Sequence, residues 1–119
     1  METSSIEILI VDDEQGLLDL FEIWLGDTFN VTTVTTGEAV RSMLDESVDI
    51  LILDWRLPDC SGEEIVAEIN EKGLSPAIAV VTGAEPDLEE LSTQVDIVLQ
   101  KPIGREELRQ SVESLLPSE

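Results

Sequence analysis

Five side chains able to handle a phosphoryl group stand at the ends of short aliphatic runs. They are the pair Asp12-Asp13 after Ile6 to Val11, Asp54 after Ile50 to Leu53, Thr82 after Ala77 to Val81, and Lys101 just beyond Ile97 to Leu99. Three carboxylates gathered at one place repel one another, and a divalent cation would cancel that cost. With oxygen ligands and neither sulfur nor imidazole, the chemistry favours a hard ion such as Mg²⁺, which typically takes one or two carboxylates beside a phosphoryl oxygen. Lys101 would add a compact positive charge for an incoming phosphoryl group. Thr82-Gly83 offers a hydroxyl and an accessible backbone N–H for its oxygens. A carboxylate among these groups can attack phosphorus and form an acyl phosphate. Singly, each position has a plainer reading: a cap and turn pair for Asp12-Asp13, a turn residue for Asp54, a surface cation for Lys101, a turn-closing hydroxyl for Thr82. Their coincidence at four strand ends is what points to chemistry.

The elements that would position them follow from periodicity. Ile6 to Val11 is a short apolar strand, followed by a helix with Leu17, Leu20, Phe21 and Trp24 at i, i+3, i+4 and i+7, ending near Gly26. Phe29 to Val34 is a more polar strand suited to a sheet edge, and Thr36-Gly37 opens a helix carrying Val40, Met43 and Leu44 on one side. Ile50 to Leu53 is continuously aliphatic, as a central strand covered on both faces should be. Ser61-x-x-Glu64 is a capping box before a helix with Ile65, Val66 and Ile69, stopped by Gly73. Ala77 to Val81 and Ile97 to Leu99 are two further strands. A short polar helix from Pro86 follows the first, and a longer one with Leu108, Val112 and Leu115 follows the second. Five βα units of this kind predict an α/β fold: a single open, doubly wound parallel five-stranded sheet with helices on both faces. In such sheets ligands bind beyond the carboxyl ends of the strands, where the five side chains lie.

Composition narrows the function. The 119 residues suit one domain, expected to span 1–119 with no second domain in this chain. Asp and Glu number 27 against 6 Lys and Arg, a formal net charge of −21, which would repel nucleic-acid phosphate and argues against direct nucleic-acid binding. The chain has no histidine, so it can supply neither a Ser-His-Asp triad, a His-ligated zinc site, nor a phosphohistidine. The lone Cys60 makes no internal disulfide and reads as a small packed or loop residue; Trp24 and Trp55 likewise read as packing residues. No aliphatic run approaches a membrane span, the N-terminus lacks the basic and apolar regions of a signal peptide, and the expected compartment is the cytoplasm. So acidic a surface, with lysine only at positions 72 and 101, is costly to compact unless salt screens it, which points to the salt-rich cytoplasm of a halophilic archaeon.

Several segments together resemble the receiver domain of two-component response regulators over essentially the whole length. These are Ile10-Val11-Asp12-Asp13-Glu14, Leu53-Asp54-Trp55-Arg56-Leu57-Pro58-Asp59-Cys60-Ser61-Gly62, Val81-Thr82-Gly83 and Lys101-Pro102. The resemblance implies the (βα)5 flavodoxin-like receiver fold with strand order 2-1-3-4-5. It implies that Asp54 is the phosphoacceptor, that Asp13, Asp54 and the backbone carbonyl of Arg56 are direct Mg²⁺ ligands, and that Asp12 acts through water. Thr82 and Lys101 would grip the phosphoryl oxygens, and the Lys101-Pro102 bond would be cis. Arg56 and Ala84 match positions that tune dephosphorylation. The implied partners are a histidine kinase or phosphotransfer protein as donor and a downstream effector domain or protein, with no membrane. The implied chemistry is a switch that catalyses only its own phosphorylation and dephosphorylation.

One departure stands out. Receiver domains usually carry Tyr or Phe three residues before the lysine, where this chain has Val98. A valine cannot follow Thr82 as a rotating ring would, so activation is expected mainly in the Thr82 to Leu91 loop and short helix, anchored chiefly by Leu88 and Leu91. Three other classes fit less well. A phosphatase of the haloacid-dehalogenase type would need Asp-x-Asp at the first strand, where Asp12 is followed by Asp13 and Glu14. A flavodoxin-like cofactor binder would need a Gly-, Ser- and Thr-rich first loop, and a phosphorylation-independent adaptor would not need Asp54, Thr82 and Lys101 together.

Overall fold

The computed structural model describes residues 6–83 and 95–116. Within them lie strands β1 (Glu7–Val11), β2 (Asn30–Val34), β3 (Ile50–Asp54), β4 (Ala77–Thr82) and β5 (Ile97–Gln100). The helices are α1 (Gln15–Leu25), α2 (Gly37–Met43), α3 (Gly62–Glu71) and α4 (Arg105–Ser114). The helix expected from Pro86, its anchors Leu88 and Leu91, and Ala84 lie outside the described residues. The strands pair in parallel in the order β2-β1-β3-β4-β5. β3, whose five residues are all buried, occupies the middle, and the polar β2 lies at an edge. That order brings the carboxyl ends of β1 and β3 side by side.

Alternation along each strand divides the core in two. Ile8, Ile10, Ile50, Ile52, Ala79, Val81 and Leu99 face α1 and α4, while Leu9, Val11, Leu51, Leu53, Ile78 and Val80 face α2 and α3. The β-branched and leucine residues of β1 and β3 thus serve both faces, which is why these strands read as continuous apolar runs. The caps follow local chemistry. The Thr36 hydroxyl accepts from the Ala39 N–H at the start of α2, and the Ser61 hydroxyl from the Glu64 N–H at the start of α3. Gly73, at φ +70°, takes the left-handed conformation that ends α3.

Two helical faces differ from the periodicity reading. On α1 the buried stripe is Leu18, Phe21 and Leu25, whereas Leu20 is 44% exposed and Leu17 and Trp24 are half-buried. The helix is apolar at 17, 18, 20, 21, 23, 24 and 25, wider than one stripe, and the stripe that meets the sheet takes the core. On α2, Met43 is exposed and the following Leu44 fills the buried place, because the helix is only seven residues long and turns out of helical geometry at Leu44.

Four of the six cations tie elements together. Arg41 on α2 pairs with Glu68 (2.8 Å) and Glu64 (3.4 Å) on α3, and the Lys72 ammonium donates back to the Arg41 carbonyl. Arg109 on α4 donates to the carbonyl of Trp24 (2.8 Å) and lies 3.7 Å from Asp27 beyond α1. Lys101 serves the strand ends. No helix among the described residues is long and apolar enough to cross a membrane.

Two outcomes follow. Leu18→Ala should cost about 2–5 kcal/mol in urea unfolding and Leu20→Ala under about 1, the reverse of what the periodicity reading would expect. The melting temperature should rise steeply from dilute to molar KCl in the absence of divalent ions, as screening relieves repulsion among the excess acids. A flat profile would contradict a salt-adapted surface.

Candidate functional site

Asp54 and Thr82 are the last residues of β3 and β4, Asp12 directly follows β1, and Lys101 directly follows β5. Parallel pairing aligns these ends, so the five positions singled out in the sequence converge on one rim of the sheet. Asp12 (1% exposed), Asp54 (5%) and Thr82 (2%) are the only buried polar residues among those described. Asp13 points into the open. Oxygens of Asp12, Asp13 and Asp54 all lie within 4.8 Å of one another.

Each group is held by backbone. Asp12 Oδ1 accepts from the Glu14 N–H (2.9 Å), closing the turn into α1, so the structural role read for this residue coexists with a place in the cluster. Asp54 Oδ1 accepts from the Arg56 N–H (3.1 Å), which starts the loop after β3. The Lys101 N–H donates to the Thr82 carbonyl (2.8 Å), locking the two strand ends together, and the Lys101-Pro102 peptide is cis, as the resemblance implies. The lysine side chain then turns inward, its ammonium 2.9 Å from Asp12 Oδ2 and 3.5 Å from Asp54 Oδ2. The 2.9 Å contact is an ion pair out of line for a hydrogen bond, so buried Asp12 Oδ2 has no hydrogen-bond donor among the described residues.

The electrostatics follow from one ammonium among three carboxylates. Burial, reinforced by the charges of Asp12 and Asp13, pushes the Asp54 carboxyl above the ordinary aspartate range, against the pull of the Arg56 N–H and Lys101. Burial works to lower Lys101, but Asp12, Asp54 and Glu14 outweigh it and hold the ammonium above its usual value. The residues present fit a hard divalent cation: an all-oxygen donor set, too little positive charge nearby, and a buried carboxylate oxygen lacking a donor.

Sequence reasoning found every member of this rim. It missed what braces the rim from behind. The Asp59 carboxylate accepts from the N–H groups of Gly37 (2.9 Å) and Glu38 (3.0 Å) at the start of α2, a pairing 21 and 22 residues apart that no local pattern signals. Gly62 lies against the Trp55 ring, leaving no space for a Cβ. Val98 is half-buried on β5 opposite Val80.

Comparison with known proteins agrees with this geometry. The family model described as response regulator receiver domain matches residues 8–113. A candidate transcriptional regulator of Haloferax volcanii is 38% identical over 92% of this chain and 19% of its own length. The response regulator SaeR of Staphylococcus aureus is 30% identical over 92% of this chain and 50% of its own. The chain therefore spans between a fifth and a half of these curated relatives. Among solved structures, the response regulator TrrA of Thermotoga maritima in complex with Mg²⁺-BeF superposes with TM-score 0.81 at 30% identity, covering 93% of this chain and 99% of that one. A receiver domain protein of Methanospirillum hungatei gives 0.82 at 26%, covering 94% of each.

The charge imbalance predicts that, without divalent cations at neutral pH, Asp54→Asn is more stable than wild type. A raised carboxyl pKa means that stability falls as pH climbs from the unfolded value through the folded one, and the amide removes that loss. Mg²⁺ at a hundred times its dissociation constant should add about 2.7 kcal/mol to wild type. Thermal melts with and without MgCl₂ check both; an Asp54→Asn protein less stable than metal-free wild type would contradict the reading.

Proposed function

The chain belongs to the response regulator receiver domain family, and from that premise we propose that it accepts a phosphoryl group from a partner histidine kinase onto Asp54, in a Mg²⁺-dependent reaction, and signals through a changed interaction surface. The family is one of phosphorylation-based signalling. The observation that carries the finer reading is the convergence of Asp54, Lys101 and Thr82 with the Asp12-Asp13 pair at one rim.

Each residue has a task there. The Asp54 carboxylate is the nucleophile: its O–P bond forms as the N–P bond of the donor's phosphohistidine breaks, and the released imidazole takes a proton from water. None of the 119 residues is histidine, so the donor imidazole lies outside them. Lys101 and Thr82 grip the transferred oxygens. As the lysine follows the incoming charge it leaves Asp12, which is why the contact with Asp12 suits a pair made to be exchanged. Asp13, Asp54 and the Arg56 carbonyl would hold the cation directly and Asp12 through water. Bound there, Mg²⁺ supplies the positive charge that lets an anionic carboxylate and an anionic phosphoryl group meet. Beyond self-phosphorylation and dephosphorylation no further catalysis belongs to this reading, with Arg56, exposed at the mouth, as a tuning position.

Beside the mouth runs a groove of about 500 Å³ lined by Leu17, Leu20, Phe21, Trp24, Pro102 and Ile103. Also on α1, outside the groove lining, Ile23 is 71% exposed. This apolar strip in an acidic surface supports docking of the donor on α1. Residues 1–119 would act as one phosphoacceptor unit in the cytoplasm, with output to an effector domain or protein.

Incubation with Mg²⁺ and a small acyl phosphate should raise the intact mass by one phosphoryl unit. Asp54→Asn should abolish the gain, and Lys101→Ala should slow it by about 10²-fold or more, the scale of losing one oxyanion-stabilising donor. Labelling that persists in the Asp54→Asn protein would place the acceptor elsewhere.

A further inference from the structure

We propose that Asp59 is a positioning residue for the acceptor loop: by capping α2 it fixes the backbone between Trp55 and Ser61, and with it the Arg56 peptide that serves both Asp54 and the metal. This inference rests on the metal reading given above. The loop is a tight excursion. Arg56 bridges Ser61 in antiparallel fashion, the Leu57 N–H donates to the Cys60 carbonyl (3.2 Å), and the Gly62 N–H donates to the Trp55 carbonyl (2.8 Å). These bonds close the loop on itself, and the Trp55 N–H ties its start to β4 by donating to the Val81 carbonyl (3.2 Å). At its tip Asp59 anchors it to α2, through two hydrogen bonds that its anionic carboxylate accepts from the first two N–H groups of the helix.

The first turn of α2 depends on this partner. Thr36, the local cap, satisfies only the Ala39 N–H (3.1 Å), and Asp59 takes those of Gly37 and Glu38. Those two bonds also hold the Asp59 carboxyl below the usual aspartate range. The approach is close: a Cβ on Gly37 would run into Cys60 Sγ, so glycine there lets the loop tip lie directly on the helix start. Three residues from Asp59, the Arg56 N–H holds Asp54 Oδ1. A shift of the tip therefore either breaks charge-assisted bonds or drags the start of α2. The Arg56 side chain is exposed, while Trp55, Leu57 and Cys60 are half-buried against the core beside α2 and α3, so packing seats the loop and the Asp59 cap fixes its tip.

The test is a Mg²⁺ titration in molar KCl, read from backbone amide shifts of residues 13 and 54 to 56, on wild type, Asp59→Ala, Asp59→Asn and Thr36→Ala. Thr36→Ala removes the other cap of the same helix without touching the loop. Melting temperature should fall in all three variants. Only the Asp59 variants should bind Mg²⁺ more weakly, by about tenfold for alanine, the scale of losing a group that orients a ligand. Asparagine, which keeps one acceptor oxygen, should fall in between. It is also the variant that decides if alanine fails to fold. Unchanged Mg²⁺ affinity in the Asp59 variants, or equal weakening in Thr36→Ala, would overturn the positioning role while leaving the metal reading intact. A wild type whose amides do not respond to Mg²⁺ would overturn the metal reading and this inference with it.

Discussion

Three carboxylates and one ammonium share the carboxyl rim of this sheet, and the deficit of positive charge between them is the constraint on which the rest depends. Asp12 and Asp54 are buried and cannot relax toward water, while Lys101, 2.9 Å from one and 3.5 Å from the other, neutralises at most one. Burying unbalanced charge destabilises a fold. On the proposed function, a divalent cation followed by a phosphoryl group would bring first positive and then negative charge to a site with groups for both. The sheet order β2-β1-β3-β4-β5 is what creates the deficit, because it sets the ends of β1 and β3 next to each other.

Elsewhere the protein places its few cations where they tie elements together. Arg41 and Lys72 join α2 to α3, and Arg109 joins α4 to the end of α1. Acidic side chains are put to structural use as well. Asp49 accepts from the Glu7 N–H and Asp96 from the Ile78 N–H, each tying the start of one strand to its neighbour, and Asp59 caps α2. Most of the other acids among the described residues are exposed, in keeping with a relative from Haloferax volcanii and with a surface that works in salt.

Much of this was legible in the sequence, for reasons that differ by element. Ile50 to Leu53 read as a strand covered on both sides, and the alternation of such runs with helices pointed to an open parallel sheet. Asp12, Asp13, Asp54, Thr82 and Lys101 stood out because chemistry at strand ends is a property of position in the chain. The strand order came from resemblance, since periodicity carries no information about which strands are neighbours. The buried face of α1 was misread because its apolar residues cover more than one stripe, and only the sheet decides between Leu18 and Leu20. Asp59 escaped notice because its partners, Gly37 and Glu38, belong to another βα unit. Long-range caps leave no spacing to read.

The central claim is that the rim lacks positive charge until a cation arrives. It is tested most directly by titrating the side-chain carboxyl of Asp54 by ¹³C NMR in molar KCl, with and without saturating Mg²⁺. The account predicts a pKa above the ordinary aspartate range in the metal-free protein and a marked fall when Mg²⁺ is bound. An ordinary or depressed value in the metal-free protein, unmoved by Mg²⁺, would contradict it.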